Sequence, residues 1–264
     1  MQASGTLPFV IARVHDMRLA ISAEYVQQIV KVPRWHSVPL LPPYARGLML
    51  FRGQAIPLID LRLRLNMHSA LQDLDEMITM LNAREQDHVR WLEALELAIR
   101  DHTPFALARD PSQCAFGRWY DAFRSDDMAF GAIMSQFDAP HRVIHAIADT
   151  ALEYVAQGHA DKALALIEST RTGELREVRR LFAEARDTYT QSHNELALVL
   201  AVGGKVISVT VDHVESVEAV DEGTTDDMDE VLGQFRSDAV GTVCRRRNDK
   251  GFAFVWNPDQ LFGT

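Results

Sequence analysis

Cysteine is scarce in this chain, with two in 264 residues. That number excludes a disulfide framework and points to a reducing compartment. Long hydrophobic runs are missing as well. The richest, Leu196 to Val202, is followed at once by Gly203-Gly204-Lys205, whereas a transmembrane helix needs about 20 apolar residues. The opening Met1-Gln2-Ala3-Ser4-Gly5-Thr6 has neither the basic start nor the apolar stretch of a signal peptide, so a cytoplasmic address is expected. Positive charge is in deficit too. Twenty-seven Lys and Arg stand against 37 Asp and Glu, for a net charge of -10. A phosphate backbone attracts a basic face, so nucleic acid is excluded as a partner, and Arg245-Arg246-Arg247 is too short to reverse that. What remains is 47% hydrophobic and 24% charged, enough for a sizeable core in one large domain or two ordinary ones.

The two ends of the chain read as strands. Pro8 to Val14 is apolar and β-branched, His15-Asp16-Met17-Arg18 turns it, and Leu19-Ala20-Ile21 returns it as a hairpin. Ser22 is placed to N-cap a short helical segment through Ala23-Glu24-Tyr25-Val26. Val26, Ile29, Val30 and Val32 lead to a loop broken by Pro33, Pro39, Pro42 and Pro43. Proline lacks an N–H donor, so this loop is no central strand. Gly47 to Leu61 reads as strand, tight turn at Arg52-Gly53, and strand, an ordinary hairpin on pattern alone.

At the other end, Glu195 to Val202 and Lys205 to Val211 flank Gly203-Gly204, a strong hairpin signal. Val214, Val217 and Val220 lead into an acidic, solvated connection from Asp221 to Glu230. Val240 to Arg245 and Gly251 to Trp256 form a last hairpin, with Cys244 as a packing residue, and Asn257-Pro258-Asp259 opens a terminal turn with Leu261 and Phe262. Neither end has strands for a core of its own. Together they make one all-β domain, with the middle inserted at a loop. The expected segments are 1–66, 67–192 and 193–264, and residues 66 and 194 should lie close in space.

The period changes near Ser69. Leu71, Leu74, Ile78, Leu81, Glu85, His88, Leu92, Leu95 and Ile99 recur at spacings of three and four, one face of a long helix, and all but Glu85 and His88 are apolar. A histidine on such a stripe must be paired or bound, because burying an unpaired polar group costs roughly 2–7 kcal/mol. Asp110-Pro111 reads as an N-cap and first helical residue, which puts Cys114 at the end of a first helical turn. The partial positive charge there favours a thiolate, which makes Cys114 a metal ligand or a reactive thiol. Phe116, Trp119, Tyr120 and Phe123 follow as an aromatic wall. Asp138-Ala139-Pro140 repeats the opening device, and His141 and His145 then sit one turn apart on one helix face. After Gly158, apolar residues from Ala163 to Ala185 give one or two closing helices. The block is expected to be a four- or five-helix bundle.

Each site residue has a plainer reading by itself: His88 as a core histidine, Cys114 as an inert buried thiol, His141 and His145 as packing. Together, in one block and on apolar faces, three imidazoles and one thiolate make a complete tetrahedral set for zinc. Four protein ligands close the shell, and His141 is followed by Arg142 rather than by a glutamate base. Hydrolysis at an open zinc site is therefore disfavoured. The remaining histidines, His15, His36, His68, His102, His159, His193 and His213, stand in polar or turn contexts and read as surface.

Both ends resemble CheW, the adaptor that couples bacterial chemoreceptors to the histidine kinase CheA. The resemblance lies in Gly47-Leu48-Met49-Leu50-Phe51-Arg52-Gly53, in Ile56-Pro57-Leu58-Ile59-Asp60-Leu61-Arg62 and in Lys205 to Val214, and closes with the final hairpin. It implies an α+β multidomain chain whose CheW-like part is a double β-barrel of SH3-like subdomains. It also implies chemoreceptor tips and the CheA regulatory domain as partners, with Arg52 and Gly53 at the coupling surface and attachment to the membrane only through receptor arrays. Phe51 stands where the family more often has leucine.

The middle resembles the chemoreceptor zinc-binding (CZB) domain, through His88-Val89-Arg90-Trp91, Cys114-Ala115-Phe116-Gly117-Arg118-Trp119 and the pair His141 and His145. Leu92 replaces a frequent lysine. This second resemblance implies a four-helix bundle, often dimeric, whose zinc is held by His88, Cys114, His141 and His145, with Cys114 responsive to zinc level or to an oxidant such as hypochlorous acid. The expected function is a sensory adaptor and scaffold and not an enzyme. The alternatives are the same adaptor with a purely structural zinc, or a zinc-dependent hydrolase.

Overall fold

The computed structural model describes residues 8–125, 127–219, 240–246 and 251–259. The chain divides into two compact units, Met1–Asp73 with His193–Thr264, and Leu74–Ser192.

In the first unit, β1 (Phe9–Val14) and β2 (Met17–Ser22) form the expected hairpin, and β3 (Val26–Lys31), the two-residue β4 (Trp35–His36), β5 (Ala45–Phe51) and β6 (Gln54–Asp60) follow. A single turn of helix, α1 (Leu61–Arg64), closes the first arm. The second arm supplies β7 (Leu196–Val202), β8 (Lys205–Val211), β9 (His213–Glu218), β10 (Val240–Arg245) and β11 (Phe252–Trp256). Two sheets result, one in the order β10-β11-β2-β1-β9 and one in the order β3-β7-β8-β6-β5-β4. Every sheet takes strands from both arms. The hairpin β7–β8 lies between β3 and β6, with β8 parallel to β6, and β11 runs parallel to β2. Parallel neighbours cannot be joined by a tight turn, so these pairings depend on chain that is distant in sequence.

The core has the same dual origin. Leu19, Ile21, Ile59 and Leu61 pack with Leu198, Leu200, Val209 and Trp256. The segment after Ser22 corrects one expectation: it is a turn closed by Tyr25 N–H to the Ser22 carbonyl, and β3 starts at Val26, with no helical segment between them. The antiparallel ladder from β3 to β7 outweighs the local capping option.

Residues from the two arms of the first unit meet at a buried charged cluster. Arg46 Nη2 donates to Asp60 Oδ2 at 2.6 Å and to Ser69 Oγ at 3.3 Å, and Arg46 Nη1 donates to Glu195 Oε2 at 2.5 Å. Asp60 also caps α1, its Oδ1 accepting from Leu63 N–H at 3.0 Å. One guanidinium thus holds residues beside both junctions. Arg62 adds a second tie, to Asp73 at 2.5 Å and to Asp212 at 2.8 Å. Both of its partners belong to the first unit, which extends to Asp73, into the start of the long helix. The acidic stretch Asp221 to Glu230, with Val220, Leu261 and Phe262, lies outside the described residues.

The second unit is helical. Four long helices, α2 (Ala70–Arg100), α5 (Asp138–Ala156), α6 (Ala160–Thr172) and α7 (Glu174–Ser192), are joined by two short ones, α3 (Ala115–Ala122) and α4 (Met128–Met134). Leu81, Leu92, Leu95 and Ile99 of α2 pack with Phe116, Phe137, Ile144, Ala148, Leu181 and Phe182. The predicted α2 stripe is core only from Leu81 onward, and Leu71, at its start, is exposed. Glu85 is buried on the stripe because Arg179 and Arg186 of α7 reach it at 3.0 and 2.7 Å.

Candidate metal centre

The four expected donors converge inside the helical unit. His88 comes from the middle of α2, Cys114 precedes α3, and His141 and His145 sit one turn apart on α5. Their ligating atoms all lie within 4.8 Å of one another. Cys114 Sγ is 3.3 Å from His141 Nε2. A tetrahedral zinc with bonds of about 2.0–2.3 Å needs donors about 3.3–3.6 Å apart, so the widest pair has to close by about 1 Å.

Hydrogen bonding aims the rings. His88 Nδ1 faces the Arg84 carbonyl at 2.7 Å, and His145 Nδ1 faces the Ala108 carbonyl at 3.2 Å. A carbonyl oxygen only accepts, so each Nδ1 carries the proton and each Nε2 presents a lone pair, the arrangement that metal-bound histidines use. Both His88 Nε2 and His145 Nε2 are buried without a partner. Orphaned buried nitrogens are costly, and a bound metal ion would satisfy both. The residues therefore fit zinc, which a closed His₃Cys shell would hold as a Lewis acid with no open position.

Burial sets the protonation states. It pushes His141 down to about 3 and His145 to about 4, helped in each case by His88, and lowers His88 against its bond to the Arg84 carbonyl. At neutral pH all three rings are neutral and ready to donate. Burial also pushes the Cys114 thiol up, against the Gly117 and Phe116 N–H groups that favour its anion. This corrects the expectation of a thiolate prepared by helix geometry alone. Asp110 caps only a 3₁₀ turn, Pro111–Gln113, and Cys114 is itself the N-cap of α3, its Sγ accepting from Gly117 N–H at 3.1 Å. Desolvation outweighs that bond, so a bound cation beside the sulfur would be needed to favour the thiolate. Likewise Asp138 is the first residue of α5 and not its cap, because the 3₁₀ turn Ser135–Phe137 runs straight into the helix.

Several contributors have no side-chain signature in the sequence. The Arg84 and Ala108 carbonyls are backbone. Gly117 matters through what it lacks: a Cβ there would stand 1.9 Å from the Pro111 carbonyl oxygen. A glycine inside a helical pattern is the signal that could have announced this close approach. Phe116 lies edge-on to His88 and His141, with ring centroids 5.5 and 5.0 Å apart. A cavity of about 360 Å³ adjoins the site, lined in part by Cys114, His145, Trp91 and Leu107. Of the other histidines, six are exposed and His193 is half-buried.

Arg52 and Gly53 are not part of this centre. They form the β5–β6 turn of the first unit, both with positive φ, +49° and +81°, as a two-residue hairpin turn of the favoured hand requires. The Arg52 guanidinium lies 5.1 Å from the Phe51 ring centroid, and its Nη2 donates to Gln28 Oε1 at 3.3 Å. Among the described residues no helix is long and apolar enough to cross a membrane.

Comparison with known proteins bears on both units. The family model for the CheW-like domain matches residues 8–89, and that for the chemoreceptor zinc-binding domain matches residues 88–152. The first match ends inside α2, and residues 153–264 lie outside both. No curated protein matches the chain. A similar solved structure is the scaffolding protein TtCheW from Thermoanaerobacter tengcongensis, at 10% identity and a TM-score of 0.43, covering 98% of this chain and 94% of that one. Residues 8–89 are thus similar to CheW-like domains, and residues 88–152 to chemoreceptor zinc-binding domains.

Proposed function

We propose that the protein is a cytoplasmic chemotaxis adaptor, not an enzyme, in which residues 1–66 and 193–264 form one CheW-like domain and residues 67–192 are an inserted zinc-binding sensor. The CheW-like part couples chemoreceptor tips to the regulatory domain of the histidine kinase CheA, with Arg52 and Gly53 at the docking surface. Zinc is held by His88, Cys114, His141 and His145. The observation that carries the reading is the convergence of these four donors with two buried imidazole nitrogens left unpartnered.

The sensing chemistry follows from the donor set. Zinc supplies the charge that keeps Cys114 a thiolate. Hypochlorous acid oxidises a thiolate by two electrons: sulfur gains the hydroxyl, chloride leaves, and the product is a sulfenic acid. The centre then loses its soft anionic donor and its grip on zinc. The cavity at Cys114 favours an accessible sensor over a purely structural zinc.

The test is a reconstituted receptor–CheA complex in which the protein is the sole coupling component. Wild type should support receptor-controlled kinase activity that changes on addition of hypochlorous acid. Cys114→Ala should couple without responding to the oxidant, and Arg52→Asp should couple poorly. Failure of the wild-type protein to couple under any condition would refute the adaptor assignment. Coupling with an unchanged oxidant response in Cys114→Ala would refute the sensing step alone.

A further inference from the structure

The segment from 101 to 110 connects α2 to the 3₁₀ turn before Cys114 and contains neither helix nor strand. Side chains of the two flanking helices hold it over the metal centre. From α2, Trp91 Nε1–H donates to the Ala108 carbonyl at 2.8 Å, and the Trp91 ring meets Phe105 edge-on at 5.2 Å. From α5, Asp149 accepts from Arg109 Nη1 at 2.5 Å. The Ala108 carbonyl is the same oxygen that faces His145 Nδ1 at 3.2 Å. Trp91 also lies against the His145 ring itself, with centroids 4.8 Å apart. Trp91 is nearly fully buried, so its indole N–H needs a buried acceptor. One backbone oxygen thus receives two buried N–H groups, one from a tryptophan and one from a donor histidine.

We propose that Trp91 is a positioning residue for the metal centre: by fixing the Ala108 carbonyl it sets the tautomer and ring orientation of His145, and thereby the direction of His145 Nε2. The inference rests on the zinc reading of the four donors and extends it to a residue outside the ligand set. Without the indole N–H, the Ala108 carbonyl keeps only its bond to His145 Nδ1. The 101–110 segment is then held by backbone and capping bonds at its two ends, by Phe105 packing and by the surface pair Arg109–Asp149, and the carbonyl between them is freer to move off Nδ1. Partners of this kind change metal affinity by about 10–100-fold when removed. Trp91 acts through one intervening carbonyl, so the lower end of that range, about tenfold, is expected.

The experiment measures zinc affinity by chelator competition for wild type, Trp91→Phe and Arg109→Ala, with the unfolding midpoint of each metal-free protein. Trp91→Phe retains the apolar wall and removes the N–H. Arg109→Ala lies at an exposed position and loosens the same segment without touching the core. The proposal predicts a dissociation constant about tenfold higher for Trp91→Phe and a smaller rise for Arg109→Ala. It also predicts faster solvent exchange of the His145 Nδ1 proton in Trp91→Phe by NMR. A lower metal-free midpoint with unchanged zinc affinity and unchanged Nδ1 exchange would overturn it, since that is the outcome of a packing role. Absence of zinc from the wild-type protein would overturn the underlying zinc reading instead.

Discussion

Gly117→Ala separates local propensity from the geometry of the metal centre. Gly117 lies within α3, where replacing glycine by alanine ordinarily stabilises a helix by about 0.8–1 kcal/mol. Here the new methyl would stand 1.9 Å from the Pro111 carbonyl oxygen and 2.9 Å from its carbon. Ordinary contacts begin near 3.4 Å, so the obstacle must retreat by more than an ångström, and it is backbone. Overpacking costs about 1–3 kcal/mol, which exceeds the propensity gain. The displaced element is the 3₁₀ turn that presents Cys114, and Gly117 N–H is the donor to its sulfur. The substitution should therefore destabilise the metal-free protein by about 1 kcal/mol or more and weaken zinc binding by about tenfold or more. Gly131 in α4 is the control: a Cβ there meets nothing within 4 Å, so Gly131→Ala should stabilise by about 0.5–1 kcal/mol and leave zinc affinity unchanged. Denaturant unfolding with chelator competition reads both quantities. A Gly117→Ala protein as stable as wild type and with wild-type affinity would refute the argument.

Two further perturbations test the rest of the molecule. Arg46→Met would leave Asp60 and Glu195 buried beside each other without their cation, and breaking a buried pair in this way costs about 3–5 kcal/mol. A loss under about 1 kcal/mol by denaturant unfolding would mean that the junction cluster does not hold the two arms together. Zinc binding near pH 7 should release one proton per zinc. Burial raises the Cys114 thiol, so it enters protonated, whereas burial lowers His88, His141 and His145, so they enter neutral. Affinity should accordingly rise tenfold per pH unit across neutrality and steepen only when the pH falls toward 4, where the histidines begin to compete for protons. Calorimetry in buffers of different ionisation enthalpy counts the protons, and a count near zero or near two would contradict these protonation states.

The sequence made the donors legible because each interrupts a pattern. His88 and Glu85 stand on a leucine stripe, and both proved to be buried for a reason: one converges on the metal centre, the other pairs with Arg179 and Arg186. The hairpins were legible from alternation and from Gly203-Gly204. Cap assignments fared unevenly. Asp110 is an N-cap with Pro111 behind it, though of a 3₁₀ turn, whereas strand pairing claims the segment after Ser22 and a 3₁₀ turn runs into the helix at Asp138. Helix position argues for a Cys114 thiolate, whereas burial, which only the three-dimensional structure shows, pushes the thiol up. The Ala108 and Arg84 carbonyls were invisible because a backbone acceptor leaves no mark on residue type. The Arg46 cluster was missed because its members, Asp60, Ser69 and Glu195, are far apart in sequence and each looks solvated.

The most direct test of the central claim is the zinc content of the purified protein, followed through a hypochlorous acid titration for wild type and Cys114→Ala. The account predicts one zinc per wild-type chain, released stoichiometrically as the thiolate is oxidised, and weak zinc retention with no oxidant-driven release in Cys114→Ala. A wild-type chain without zinc, or with zinc whose release by oxidant is the same when Cys114 is absent, would contradict it.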